Sequence, residues 1–237
     1  MSELPSYVSG VFLAIVAVTF GFLYYSIKLA QPNKSDQSAI IVSTFMMVWI
    51  FILSILALYG MFLDFEAMPP PLLYVILPPL AAIIIAVSKK QSRVYLMNIP
   101  ITTLTYLHIV RVPVEIVLWW LAGSQLLPYL LTFEGINYDI LSGISAPFVA
   151  IFMVGLRSKS RIGAILWNII ALGLLVNVVG HAILSTPTPF QLFAFDTPNI
   201  AVFHFPFVLL PGFVVPAVLF SHLVSLIKLF DKDGELV

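Results

Sequence analysis

The chain has 237 residues, of which 61% are hydrophobic and 9% charged, with 11 basic and 11 acidic side chains in balance. A soluble domain carries about a quarter charged residues, so this composition excludes an ordinary soluble fold and points to a polytopic, all-α integral membrane protein. The absence of cysteine excludes disulfides, thiolate metal sites and thiol catalysis.

Seven spans follow from the hydropathy, at about Tyr7–Ile27, Ala39–Leu63, Leu72–Val87, Ile101–Ala122, Ile140–Leu156, Ile162–Leu184 and Ile200–Leu229. Each approaches the ~17–25 apolar residues that a crossing helix needs, and together they form a single transmembrane domain over residues 1–237. The third and fifth are the short ones, and the pair Pro78-Pro79 is expected to interrupt the third. No basic residue precedes the first apolar run, so that run is expected to be kept as a helix rather than cleaved as a leader.

The loops sort by charge. Lys28 and Lys34 follow the first span, Lys89, Lys90 and Arg93 the third, Arg157, Lys159 and Arg161 the fifth, and Lys228 and Lys232 the seventh. The opposite loops carry Glu3, Asp64, Glu66, Glu134, Asp139 and Asp196 and no lysine or arginine. The positive-inside rule then predicts an outer N-terminus and a cytoplasmic C-terminus. The sequon Asn33-Lys34-Ser35 falls on the cytoplasmic side and is expected to be unmodified, and the tail Asp231–Val237 is short and polar. Short loops fit a plasma membrane, such as a bacterial inner membrane.

Two echoes share one sequence offset. Ser9-Gly10-Val11 matches Ser142-Gly143-Ile144, and Tyr74-Val75-Ile76-Leu77-Pro78-Pro79 resembles Phe207-Val208-Leu209-Leu210-Pro211-Gly212. Three helices, one linker helix and three more in the same orientation would give the 3+1+3 parallel-repeat layout of SWEET-type transporters, as a likeness of layout alone.

Charge inside the hydrocarbon is costly and marks function by default. In the fourth span, Arg111 and Glu115 are four residues apart and His108 lies three before Arg111, so all three share one helix face. Pro113 sits between them and frees the Ile109 carbonyl. Spacing suggests that Arg111 pairs with Glu115 or holds an anionic group. In the sixth span Gly173, Asn177 and His181 form a stripe that suits either a helix contact or a cavity wall. Pro206, Pro211 and Pro216 in the seventh free the carbonyls of Val202, Phe207 and Gly212. Such breaks survive in lipid only where protein, water or a ligand takes up the freed groups.

At ~1.5 Å per residue, His108, His222 and Asn168 fall at one inner level, and His181 and His204 near the outer end. Glu115 falls between the levels. The aromatic, acid-bearing loops 130–139 and 185–198 can fold back over the bundle and set Glu134, Asp139 and Asp196 at its mouth.

The substrate or proton pathway candidates are thus His108, Arg111, Glu115, Asn177, His181, His204 and His222. The leading expectation is a carrier or small-molecule-binding membrane protein, proton-linked through His108 and Glu115, with the lipid bilayer and a small-molecule or lipid ligand as partners. Homo-oligomerisation is compatible with the sequence. Other readings are an intramembrane enzyme acting on a lipid or isoprenoid, a haem-binding subunit with histidine axial ligands, and a receptor or assembly subunit in which the triad is a structural latch. Neither haem nor zinc is assigned: His204 and His222 would lie ~27 Å apart along an ideal helix, a long separation for two haems on one bundle, and no HExxH or His-x-His spacing marks a zinc site. No phosphate-cradling glycine loop points to nucleotide or nucleic acid.

Overall fold

A computed structural model of the chain describes residues 4–31, 37–155 and 160–231. Among these residues all regular structure is helical. In chain order the α-helices are α1 (Ser6–Leu29), α2 (Ser38–Leu58), α3 (Pro71–Ser88), α4 (Lys90–Asn98), α5 (Ile101–Leu107), α6 (Arg111–Gly123), α7 (Ile140–Val149), α8 (Arg161–Leu184) and α9 (Val215–Phe230). A 3-10 turn, His108–Val110, joins α5 to α6 into one apolar unit, Ile101–Gly123. A π-helical turn extends α7 to Val154, and another, Leu210–Val214, leads into α9. Six of these units are long and apolar enough to cross a membrane; the seventh, Ile140–Val154, is shorter.

Several span boundaries differ from those expected, each for a local reason. The second helix stops at Leu58 rather than Leu63. Gly60 adopts a left-handed φ of 69°, its N–H donates to the Ala57 carbonyl, and the Met61 N–H donates to that of Leu56. This is the glycine-based cap that ends helices at their C-terminus. Pro78 and Pro79 do not interrupt α3, which runs through them; each removes only a backbone donor, and the flanking turns hold. The largest correction concerns the seventh span. Residues 200–209 form a 3-10 turn and irregular backbone, and helical structure begins only at Leu210. Pro206 therefore precedes the helix instead of kinking it. The short helix α4 in the basic connection has no counterpart among the seven spans.

Glu3, Lys34, the sequon Asn33-Lys34-Ser35, Arg157, Lys159, Lys232 and the tail after Asp231 lie outside the described residues.

Of the carbonyls freed by proline, that of Gly212 accepts the Trp49 indole N–H at 2.9 Å. A side chain at Gly212 would come within 3.1 Å of Val75 Cγ1, so glycine is what lets α2 and α3 close on this backbone. The Phe207 carbonyl accepts the Leu210 N–H at 2.9 Å.

The basic-flanked helix ends gather at one end of the bundle. Ala30, Leu96, Ile99, Leu104 and Val224 form one small core there, and Ile101, Val149, Val154, Ala164 and Leu229 another. Lys228 is buried and donates to the Ile99 carbonyl. Arg161 ties the end of α9 down through the carbonyls of Leu229 and Asp231, at 2.6 and 2.7 Å. The main apolar core fills the rest of the bundle, centred on α1, α6 and residues 201–218. Of the two echoed glycines, Gly143 lies against α6 while Gly10 faces open space.

Candidate functional site

The polar side chains of α6 are satisfied by a loop. Arg111 is 2% exposed. Its Nε donates to Asp139 Oδ2 at 2.6 Å, and its Nη2 reaches Asp139 Oδ1, a bidentate pair. Nη2 also donates to the Ala171 carbonyl at 3.0 Å, and Nη1 to His222 Nε2 at 3.2 Å. The expected Arg111–Glu115 pair is thus replaced. Asp139 precedes α7 and spends its carboxylate on Arg111 instead of capping its own helix.

Glu115, also 2% exposed, accepts from Asn137 Nδ2 at 2.7 Å on Oε2. The same Asn137 amide donates to the Leu131 carbonyl at 2.9 Å, and its Oδ1 accepts the Asp139 N–H at 3.0 Å. That last bond is the two-residue side-chain turn that asparagine makes readily. Its effect here is to place Asn137 on Glu115 and Asp139 on Arg111. Gly135 makes the fold-back of this loop tight, since a Cβ would lie 2.8 Å from the Leu130 carbonyl oxygen.

The inner level assembles as a histidine pair. The rings of His108 and His222 have centroids 4.0 Å apart, and Trp167 packs edge-on to His108 at 5.2 Å. Hydrogen bonding fixes the tautomers. Asn168 Nδ2 donates to the Ala164 carbonyl, so its Oδ1 accepts from His222 Nδ1 at 2.9 Å. His222 therefore carries its proton on Nδ1 and offers Nε2 as the acceptor for Arg111, which can only donate. Ser221 donates to the Leu104 carbonyl at 2.7 Å, so its oxygen accepts from His108 Nε2 at 3.2 Å. That leaves His108 Nδ1 buried and, among the described residues, without a partner.

Asn177 donates to the Ile136 carbonyl at 3.1 Å, so the α8 stripe pins the same inserted loop. His181 Nδ1 donates to the Asn177 carbonyl at 2.8 Å and stacks near Phe193. His204 is half-buried in the irregular segment before Leu210, and burial pushes its imidazole below the ordinary value. No contact brings it to His181 among the described residues. Of the three loop acids, Asp139 is drawn inside, whereas Glu134 and Asp196 are exposed. Asn137, Trp167 and Ser221 complete the network without having been chosen as candidates.

Among the described residues no three His, Asp or Glu side chains converge as a metal site. The His108 and His222 rings touch each other, which leaves no gap for a porphyrin plane between them.

An apolar cavity of about 380 Å³ lies beside the network, between α3, α6, α8 and the 210–219 stretch. That volume is within the range of small-molecule sites. Its polar lining residues are Glu115, Asp139 and Asn199. A second cavity of about 480 Å³, between α1, α2, α3 and α9, has Trp49 as its one lining residue with a polar side chain group, and that indole is already bonded to Gly212.

One family model matches, over residues 71–230, described as a domain of unknown function (DUF8737). It takes in α3 to α9 and the whole polar network. No curated protein and no solved structure matches the chain.

Proposed function

The chain belongs to the DUF8737 family, and we propose that it is a carrier or small-molecule-binding membrane protein whose occupant sits in the cavity beside Glu115. The observation that carries this reading is the half-satisfied carboxyl. Oε2 accepts from Asn137, Oε1 receives no donor among the described residues, and the residue lines a cavity whose wall is otherwise almost wholly apolar. A buried carboxylate is costly in such surroundings, so its charge must be met by a proton or by something that binds. Arg111 on its own helix and Asp139 and Asn137 from the loop are the charged and polar groups facing it. Arg111 is committed to Asp139, which leaves Glu115 as the place where a proton and an occupant exchange.

In this reading the bundle has seven spans, with Ile140–Val154 as a short seventh, an outer N-terminus and a cytoplasmic C-terminus. The 3+1+3 layout would put the inserted loop at the outer mouth. The clustering of Lys28-, Lys89- and Lys228-flanked ends supports the sidedness.

A structural latch is the second reading. It is favoured by the saturation of Arg111, whose three nitrogens all have partners. Native mass spectrometry of the full chain from a mild detergent separates the two. The binding reading predicts a retained small organic or lipid-like mass that is lost from Val179→Phe, which fills the cavity, at an unchanged melting temperature. A bare polypeptide mass for the wild type, or retention undiminished in Val179→Phe, would leave the latch.

A further inference from the structure

We infer that the cavity's occupant is a lipophilic primary or secondary amine, with its head at Glu115 and an aliphatic tail along α3 and α8. This deepens the binding reading above and rests on it.

The donors and acceptors of the cavity wall select the head group. Three polar residues reach the cavity. Both carboxylate oxygens of Asp139 are taken by Arg111. Glu115 keeps one oxygen free. Asn199 donates its backbone N–H to the Ser185 carbonyl at 2.8 Å and its Nδ2 to that of Ala182 at 3.2 Å. Its Oδ1 meets no donor among the described residues, but it is too deeply buried to be reached from the cavity. The wall therefore presents one acceptor that no described residue meets, Glu115 Oε1, and no free nitrogen donor. A fatty carboxylate or a phosphate would bring further acceptors to such a wall, whereas an N–H group completes it.

Charge gives the same answer. Arg111 and Asp139 cancel, and the neutral tautomer of His222 adds nothing. The Glu115 carboxyl is left to hold either its own proton or a cation, and an ammonium supplies the cation through a charge-assisted bond.

The rest of the lining narrows the tail and the head. Leu72, Ile76, Leu118, Leu175, Val179 and Leu219 are aliphatic, and none of the lining residues is aromatic, although 14% of the chain is. Quaternary ammonium groups, which have no N–H to donate, are recognised by aromatic cages. An aliphatic wall with the free Glu115 oxygen instead suits an amine that keeps its N–H donors.

The test titrates the purified full chain, in a mild detergent, with dodecylamine, dodecanol and dodecanoate, and reads bound mass by native mass spectrometry. The expected result is one dodecylamine per chain, bound about tenfold or more tighter than dodecanoate. Glu115→Gln, which keeps an acceptor for Asn137, should weaken dodecylamine by about tenfold and leave dodecanol unchanged. Val179→Phe should block both.

Dodecanoate binding as tightly as dodecylamine, or an amine affinity unaffected by Glu115→Gln, overturns the amine assignment. If Val179→Phe still blocks binding in that case, the small-molecule site stands and only its ligand class falls. If Val179→Phe changes the binding of none of the three, the cavity reading falls with it.

Discussion

Helix α2 and the unit Ile101–Gly123 stand at opposite ends of one trend. The window of α2 has mean hydropathy 2.6 and is 11% buried, while that of Ile101–Gly123 has 1.4 and is 61% buried. In water the more apolar helix would be the one inside. In lipid the hydrocarbon solvates α2 as well as protein would, and polar groups draw helices together. The units that carry His108, Arg111 and Glu115, and then His222, are accordingly the most enclosed. The DUF8737 match begins at α3, leaves α1 and α2 outside and takes in both of these enclosed units.

The sharpest way to break this contrast is Arg111→Leu. It strands the buried Asp139 carboxylate and removes the donor to His222, and it should cost about 3–5 kcal/mol. Thermal unfolding in detergent measures it, and Arg111→Leu/Asp139→Leu should recover part of the loss. Gly143→Ala comes next. Its Cβ would lie 2.8 Å from Val112 Cγ2 and 3.0 Å from the Val112 nitrogen, so overpacking of α7 against α6 should cost about 1–3 kcal/mol by the same assay. Asn168→Leu removes the acceptor of the His222 Nδ1 proton and should cost about 1–3 kcal/mol. Phe51→Ala on α2, 64% exposed, should stay within about 0.5 kcal/mol. A Phe51 effect as large as that of Arg111 would erase the distinction between the two regions.

Acidity sharpens the comparison further. An alkylammonium stays charged well below neutral pH, so Glu115 is the partner that titrates. Dodecylamine binding should weaken as pH falls and a proton takes the carboxyl, and Glu115→Gln should show no such slope.

Much of this was legible in the chain. Helical depth counting placed His108, His222 and Asn168 at one level, and the structure joins them. The apolar runs marked where helices lie, although Gly60 and the 200–209 segment moved two boundaries. The partner of Arg111 was not legible. An arginine four residues from a glutamate suggests a pair on one helix face, but Asp139 competes from 28 residues away and wins through bidentate geometry. That contact depends on a loop folding inward. The local hint was Asn137-Tyr138-Asp139 with Gly135 ahead of it, a turn able to aim two side chains at α6. The unpaired Asn199 oxygen left no trace in the sequence, because it depends on which donors its surroundings lack.

The most direct test of the central claim, that Glu115 faces a cavity which holds an occupant, uses the chain's freedom from cysteine. Val179→Cys puts a single thiol on the cavity wall. Its reaction with N-ethylmaleimide is followed with and without dodecylamine, with Phe51→Cys as the lipid-facing control. Dodecylamine should slow labelling at Val179→Cys and leave labelling at Phe51→Cys alone. Equal slowing at both positions, or a Val179→Cys thiol that reacts only after unfolding, would contradict it.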